Sequence, residues 1–256
     1  LVNNMNIIAL TQARTNSKRF PKKILKKILG KTLLEIHLER LLRSRLINKI
    51  IVLTTTNKKD NIICEISNKL NLKFFRGSEN DLLDRFYMSV KNLRPTFIVR
   101  LTSDCPLIDP ILIDEVLEKA IQKDIDYYSN TLLERFPDGQ DIEVLKFSAL
   151  KKAWIESKLA SDREHVTSFI KKNSSFYKKK MFKSENHMSK YNYNKVRLTV
   201  DELNDFKVIE KLILKLGLDK TWQDYANYYI KEKSINKLNN SIIRNEGYFK
   251  SLKEDK

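Results

Sequence analysis

The stretch TQARTNSKRFPKK, residues 11–23, gathers five basic side chains directly after the short apolar run NIIAL. Arg14, Arg19 and Lys23, with the hydroxyl of Ser17, have the types and spacing to wrap a polyphosphate. Backbone N–H groups and cationic heads would together neutralise its oxygens. The loop is not a Walker loop, because GxxxxGK[ST] is absent, nor is it a dinucleotide GxGxxG. A solvated basic surface loop is the plainer alternative. The second candidate is Asp104 in RLTSDCPLIDP, an acid at the end of an apolar run that Pro106 cuts short. A carboxylate there could hold Mg²⁺ against a triphosphate; the alternative, a helix-starting aspartate, suits Asp109 better. Asp201 in RLTVDELNDF repeats the arrangement and could share the same ion, whereas Asp205 is expected to cap or pair on a helix.

These residues need a scaffold that brings them together. NIIAL (6–10), KIIVLTT (49–55), LKFF (72–75) and TFIVRLT (96–102) have the composition of short buried strands. Between them LLEIHLERLLRSRL, DNIICEISNKLNL and DLLDRFYMSVKNL carry apolar residues at helical spacing. Strand–helix–strand repetition implies an α/β fold with a mainly parallel sheet and helices on both faces. Right-handed crossovers then align the strand C-terminal ends on one edge, where the basic loop and SDCPLIDP both open. Asp109-Pro110 starts a further helix, QDIEVLKF alternates like a strand, and helices are expected at about 148–158 and 162–172. NKVRLTV (194–200) is expected as another strand, leading into an amphipathic helix. The polar end is expected to be partly loose, with Tyr248, Phe249 and Leu252 available to dock on the body. No repeat or linker interrupts the 256 residues, so one domain with a C-terminal elaboration is expected.

Composition narrows the function classes. A hydrophobic content of 41% supports a real core, and five Gly with five Pro are too few for a disordered chain. Cys64 and Cys105 have no CxxC spacing, which fits a reduced compartment and argues against structural zinc. No apolar run is long enough for a membrane span, and no leader pattern opens the sequence, so a cytoplasmic location is expected. The net charge of +17 raises nucleic-acid binding as a rival. Between Lys146 and Arg197 there are 14 Lys/Arg against 4 Asp/Glu, yet no nucleic-acid motif organises them. A small polyanionic substrate accounts for the charge more economically.

Taken together, QARTNSKRFPKK resembles the xARxxSxRxPGK nucleotide-binding signature of sugar cytidylyltransferases, the group that includes the synthetases activating acylneuraminate and 3-deoxy-manno-octulosonate. RGSENDLLDRF (76–86), VRLTSDCPLIDP (99–110), DGQDIEVLKFSALKKAW (138–154), REHVTSFI (163–170), RLTVDELNDF (197–206) and NEGYFKS are most similar, in order, to its spore-coat polysaccharide branch. The resemblance implies a Rossmann-like nucleotidyltransferase of the nucleotide-diphospho-sugar transferase type. It implies a nucleotide-binding core over 1–130, acceptor-binding and dimerisation elements over 131–235, and a tail over 236–256. CTP phosphates would lie near Arg14, Ser17, Arg19 and Lys23, with Mg²⁺ on Asp104 and Asp201; Arg14, Lys23 and Asp104 would be catalytic. Ser78 and Arg85 would border the nucleoside. Asp141, Glu143, Arg163, Glu164 and His165 would bind a sugar acid or sugar phosphate, and a homodimer is implied.

One position departs from the signature, whose Pro-Gly-Lys is here Pro21-Lys22-Lys23. If that site needs positive φ, Lys22 is strained by roughly 1–2 kcal/mol. His37 is expected to be structural, His187 to lack partners, and Cys105 to be a small packing residue. The enzymatic rival is a nucleotide-sugar-dependent glycosyltransferase, which would show a D-x-D motif where SDCP stands here.

Overall fold

The computed structural model of the chain describes residues 5–17 and 19–255. β1 (Ile7–Gln12) is buried along almost its whole length, as befits a strand covered by helices on both faces. The basic loop follows, then a 3₁₀ turn at Lys23–Leu25 and a small antiparallel hairpin of β2 (Lys27–Ile28) and β3 (Lys31–Thr32). α1 (Leu33–Leu41) begins at a reciprocal cap: Thr32 Oγ1 accepts from Glu35 N, and the Glu35 carboxylate accepts from Thr32 N. The alternation continues through β4 (Lys49–Thr55), α2 (Asn61–Lys69), β5 (Lys73–Gly77), α3 (Leu82–Val90) and β6 (Phe97–Thr102). α4 (Pro110–Lys123) is capped by Asp109 and has proline in its first turn. β7 (Tyr127–Ser129), β8 (Glu143–Lys146), α5 (Phe147–Glu156), α6 (Ala160–Glu164), α7 (Ser168–Lys172) and β9 (Ser184–Asn186) come next. The chain ends in α8 (Leu203–Leu216), α9 (Trp222–Lys231), α10 (Lys233–Asn236) and α11 (Glu246–Glu254).

Among the described residues seven strands form one sheet in the order β5-β4-β1-β6-β8-β7-β9. The first four are parallel, β8 runs antiparallel to both β6 and β7, and β9 is parallel to β7. The period-2 alternation of β1 divides the core: Ile7 and Ala9 pack with residues of α1, α4 and α8, and Ile8 and Leu10 with residues of α3, α5 and α7. The expected α/β sheet flanked by helices is therefore present.

The strand order places the site. From β1 the chain crosses to β4 on one side, and later returns to β6 on the other. Such a reversal opens a crevice beyond the carboxyl ends of the two central strands. Gln12 and Thr102, the last residues of β1 and β6, face each other in register. The basic loop and the Asp104 loop thus leave the sheet side by side.

Three local expectations are corrected. Residues 194–200 form no ladder: 194–195 are a turn closed by Val196 N on Tyr193 O, and the rest is tied at isolated points. Arg197 bridges only Asp138, and Val200 N donates to Asp104 O at 2.8 Å. The helix expected over 162–172 divides into α6 and α7 at Val166, whose φ is 57°. That turn lets Thr167 and Lys171 reach Glu143 on β8. The tail is not loose over 246–254: α11 lies along α6, and Ser161 N donates to Asp255 Oδ1 at 2.9 Å. Tyr248 packs edge-on against His165, while the Phe249 side chain lies outside the described set. Among the described residues no helix is long and apolar enough to cross a membrane.

Gly139, with φ +109°, sets the turn that receives the 194–200 segment. A Cβ there would stand 2.6 Å from Leu198 C and 2.7 Å from Thr199 N, both backbone atoms. Gly139→Ala is expected to lower stability by about 2 kcal/mol or more, read as a drop in the urea midpoint.

Candidate active site

Two carboxylates and one ammonium meet at the mouth of the crevice. Lys23 Nζ donates to Asp104 Oδ2 at 3.0 Å and to Asp201 Oδ1 at 2.8 Å. Burial alone would lower the Lys23 pKa, but the charges of Asp104 and Asp201 outweigh it and raise it above the ordinary lysine value. Burial would likewise raise the Asp104 carboxyl, yet the Lys23 charge and hydrogen bond hold it down to about 2. Asp201 is fixed from its other side by Arg197, whose Nη2 lies 3.1 Å from Oδ2. Arg197 also donates to Asp205 through Nε at 2.8 Å and to Asp138 through Nη1 at 2.5 Å. Asp205 accepts as well from the backbone N–H groups of Asp201 and Glu202, so it caps α8 and orients the Asp201 turn at once.

The loop that carries Asp104 is tied to β1 by His37. The His37 ring is fully buried, with Nδ1 2.9 Å from Cys105 O and Nε2 2.9 Å from Thr11 Oγ1. A carbonyl can only accept, so Nδ1–H donates to it and Nε2 accepts from the threonine. Burial pushes the His37 pKa down to about 4 and keeps the ring neutral. Burial also pushes the Cys105 thiol well above its usual range, which suits a packing residue and not a nucleophile.

The basic loop is shaped mainly by its uncharged members. Thr15 N and Oγ1 both donate to Asp60 Oδ1, at 2.8 and 2.7 Å, and Lys22 N returns to Thr15 O at 3.0 Å. Ser17 Oγ accepts from Phe20 N at 3.4 Å, a bond internal to the loop. Lys22 adopts φ 55° and ψ 26°, the left-handed conformation a glycine would take without strain. Arg14 is exposed, and Arg19 is paired with Asp201 at 3.1 Å and more loosely with Glu202 and Glu246. Arg85 is buried: its Nε donates to Ser78 O at 2.8 Å, and Ser78 Oγ accepts from Asp81 N at 3.0 Å. Burial, with the nearby Arg14 charge, lowers the Arg85 pKa to about 10. These two residues build the turn after β5, and neither lines the cavity described next.

Beside the ion cluster opens a cavity of about 730 Å³ whose wall includes Asp104, Asp201, Asp141, Glu143 and His165. Glu143, on β8, is buried among four partners. It pairs with Arg100, accepts from Tyr127 Oη at 2.5 Å and Thr167 Oγ1 at 2.7 Å, and faces Lys171 Nζ at 2.9 Å. Burial would raise its pKa, but Arg100 and Lys171 hold it far below the usual carboxylate range. Asp141 Oδ1 accepts from Arg244 Nη2 at 2.6 Å, and His165 Nε2 lies 3.0 Å from Ser251 Oγ. Arg163 and Glu164 sit elsewhere. Arg163 ties α6 to Asp81 at the start of α3 at 2.5 Å, and Glu164 accepts from Ser251 at 2.8 Å. His187, expected to lack partners, lies 3.2 Å from Tyr128 Oη and stacks on Phe136. Arg100, Lys171, Arg197, Arg244, Asp60 and the positioning role of His37 are not among the expectations from sequence.

The chain matches the cytidylyltransferase family model over residues 8–235. It belongs to the cytidylyltransferase family. An uncharacterized protein of Methanocaldococcus jannaschii is 40% identical over 210 residues, 81% of this chain and 83% of that protein. The spore coat polysaccharide biosynthesis protein SpsF of Bacillus subtilis is 30% identical over 216 residues, 82% of this chain and 88% of SpsF. A cytidylyltransferase structure from Leptospira borgpetersenii superposes with a TM-score of 0.86 at 32% identity, covering 94% of this chain and 100% of that one. The enzyme class is thus CTP-dependent nucleotidyl transfer, and the glycosyltransferase rival is set aside.

A neutral buried His37 makes stability depend on pH. Its folded pKa of about 4 lies below the unfolded value near 6.5, so its contribution is complete above pH 6.5 and is lost as pH falls toward 4. The loss amounts to about 3 kcal/mol. Urea midpoints measured from pH 7.5 to 4 are expected to fall in that window, and His37→Gln is expected to flatten the slope.

Proposed function

We propose that this cytidylyltransferase activates a sugar acid or sugar phosphate with CTP, releasing pyrophosphate, for cell-surface polysaccharide or glycan synthesis. The observation that carries the reading is the meeting of Lys23, Asp104 and Asp201 at the crevice, beside a cavity of mixed charge whose wall includes Arg100 and Lys171. An acceptor oxygen would attack the α-phosphorus, forming one P–O bond as the bond to the β-phosphate breaks and the electron pair leaves on pyrophosphate. Little covalent work falls to the protein in such a transfer; positioning and charge neutralisation supply the rate. Arg14, Arg19 and Lys23 would stabilise the charge that grows on the leaving group, and Ser78, with Arg85 reaching back to it from α3, would border the nucleoside.

Mg²⁺ fits the residues present. Asp104 and Asp201 offer hard carboxylate oxygens that converge on one cationic position, and magnesium characteristically takes one or two carboxylates plus phosphate oxygens and waters. When bound, the ion would polarise the phosphate under attack. On the acceptor side, Arg100 and Lys171 place two positive charges against the single charge of Glu143. In a wall that otherwise carries more carboxylates than cations, this pair is where an acidic acceptor would be met. Asp141 and His165 add polar groups suited to sugar hydroxyls, and the relative SpsF is a spore coat polysaccharide biosynthesis protein.

Pyrophosphate release from CTP across a panel of sugar acids and sugar phosphates tests the reading; no release with any acceptor would overturn it. Lys23→Ala and Asp104→Ala are each expected to lower kcat/KM by about 10²–10³ while circular dichroism stays unchanged. Lys171→Met is expected to raise KM for the acceptor about tenfold, with KM for CTP nearly unaltered.

A further inference from the structure

Within the reading above, we infer that Lys23 is a tethered counter-cation that keeps the aspartate pair from taking up a divalent ion until a nucleoside triphosphate arrives. Its Nζ stands 3.0 Å from Asp104 Oδ2 and 2.8 Å from Asp201 Oδ1, so both oxygens point at one spot and the ammonium fills it. An ion bridging the same oxygens would sit about 2.1 Å from each, which is contact distance from the ammonium. The two cations exclude one another.

The remaining donor atoms do not help a bare ion compete. Asp201 Oδ2 already faces Arg197 and Arg19, each at 3.1 Å. Among the described residues no group of three or more acidic, histidine or cysteine side chains is placed to hold a metal. Magnesium also dehydrates reluctantly, and here it would trade waters for two carboxylates already satisfied by a side chain of the same chain. A tethered partner has a high effective concentration, so free metal must displace it against that advantage.

A triphosphate changes both sides of the balance. Its oxygens give Lys23 an alternative partner and give the ion the additional ligands it needs. Lys23 follows Lys22 at the start of a 3₁₀ turn, and its four-carbon stem can re-aim the ammonium without moving the backbone. One residue then serves in two positions, between the carboxylates before loading and on the phosphates after it. Metal and nucleotide therefore enter together.

The test is uptake of Mn²⁺ by the full chain, read from loss of the free-ion electron paramagnetic resonance signal. It is run on wild type, Lys23→Met and Lys23→Arg, with and without α,β-methylene-CTP. Wild type and Lys23→Arg are expected to take up Mn²⁺ at least tenfold more weakly without the analogue than wild type does with it. Lys23→Met is expected to bind one Mn²⁺ per chain without nucleotide, at least tenfold more tightly than wild type, and to lose that binding when Asp104→Asn is added. Equal uptake by wild type with and without the analogue would overturn the inference if calorimetry shows that the analogue binds. So would Lys23→Met binding no more tightly than wild type. The wild-type comparison stands even if Lys23→Met does not fold. An analogue that fails to bind by calorimetry would instead overturn the nucleotide reading on which the inference rests.

Discussion

One ammonium between two carboxylates joins three parts of the chain that the sequence keeps far apart. Lys23 lies 81 residues from Asp104 and 178 from Asp201. Each contact requires a separate feature of the fold. The β1–β6 register sets the basic loop beside the Asp104 loop, and the Asp138–Gly139 turn receives the segment that carries Asp201. A partly buried charge left without its partner is costly, so every element that delivers one of the three residues is constrained by the other two. The ion cluster thus closes the architecture as well as serving the chemistry.

Around that cluster, positive and negative charges are interleaved instead of segregated. Arg197 is shared among Asp138, Asp201 and Asp205, Arg244 among Asp138, Asp141 and Glu134, and Glu143 between Arg100 and Lys171. The overall excess of +17 is spread differently: Lys178, Lys179 and Lys180 are exposed, whereas Lys171 and Lys172 are spent on Glu143 and Asp162. Bulk charge is therefore a poor guide to this site. The local geometry of each pair decides what remains available to a ligand.

Much of this was legible in the sequence because buried parallel strands announce themselves as apolar runs. Asp104 and Asp201 each follow such a run, so their placement needed only the α/β pattern. Arg100 and Arg197 were passed over although each stands four residues before its aspartate in the same R-L-T-x-D pattern. A basic residue inside an apolar run cannot stay buried alone, and that is the signal that would have found them. The partners of His187 were out of reach because Tyr128 and Phe136 come to it only through the packing of β7 against β9 and the loop after β7. Residues 194–200 have strand composition, but a strand also needs a partner that runs straight beside it, which composition alone does not reveal. The split at Val166 goes with contacts from Thr167 and Lys171 to Glu143 on another element, which are non-local.

The unladdered 194–200 segment leaves the two carboxylates with unequal mechanical support. Asp104 follows directly from a central strand bonded on both flanks, while Asp201 follows a stretch tied at isolated points and steadied by Arg197. The gap between them is thus bounded on one side by a laddered strand and on the other by a segment that hangs from Asp104 O through Val200 N and from Arg197 through Asp201. A change at Arg197 therefore bears on one edge of the gap alone.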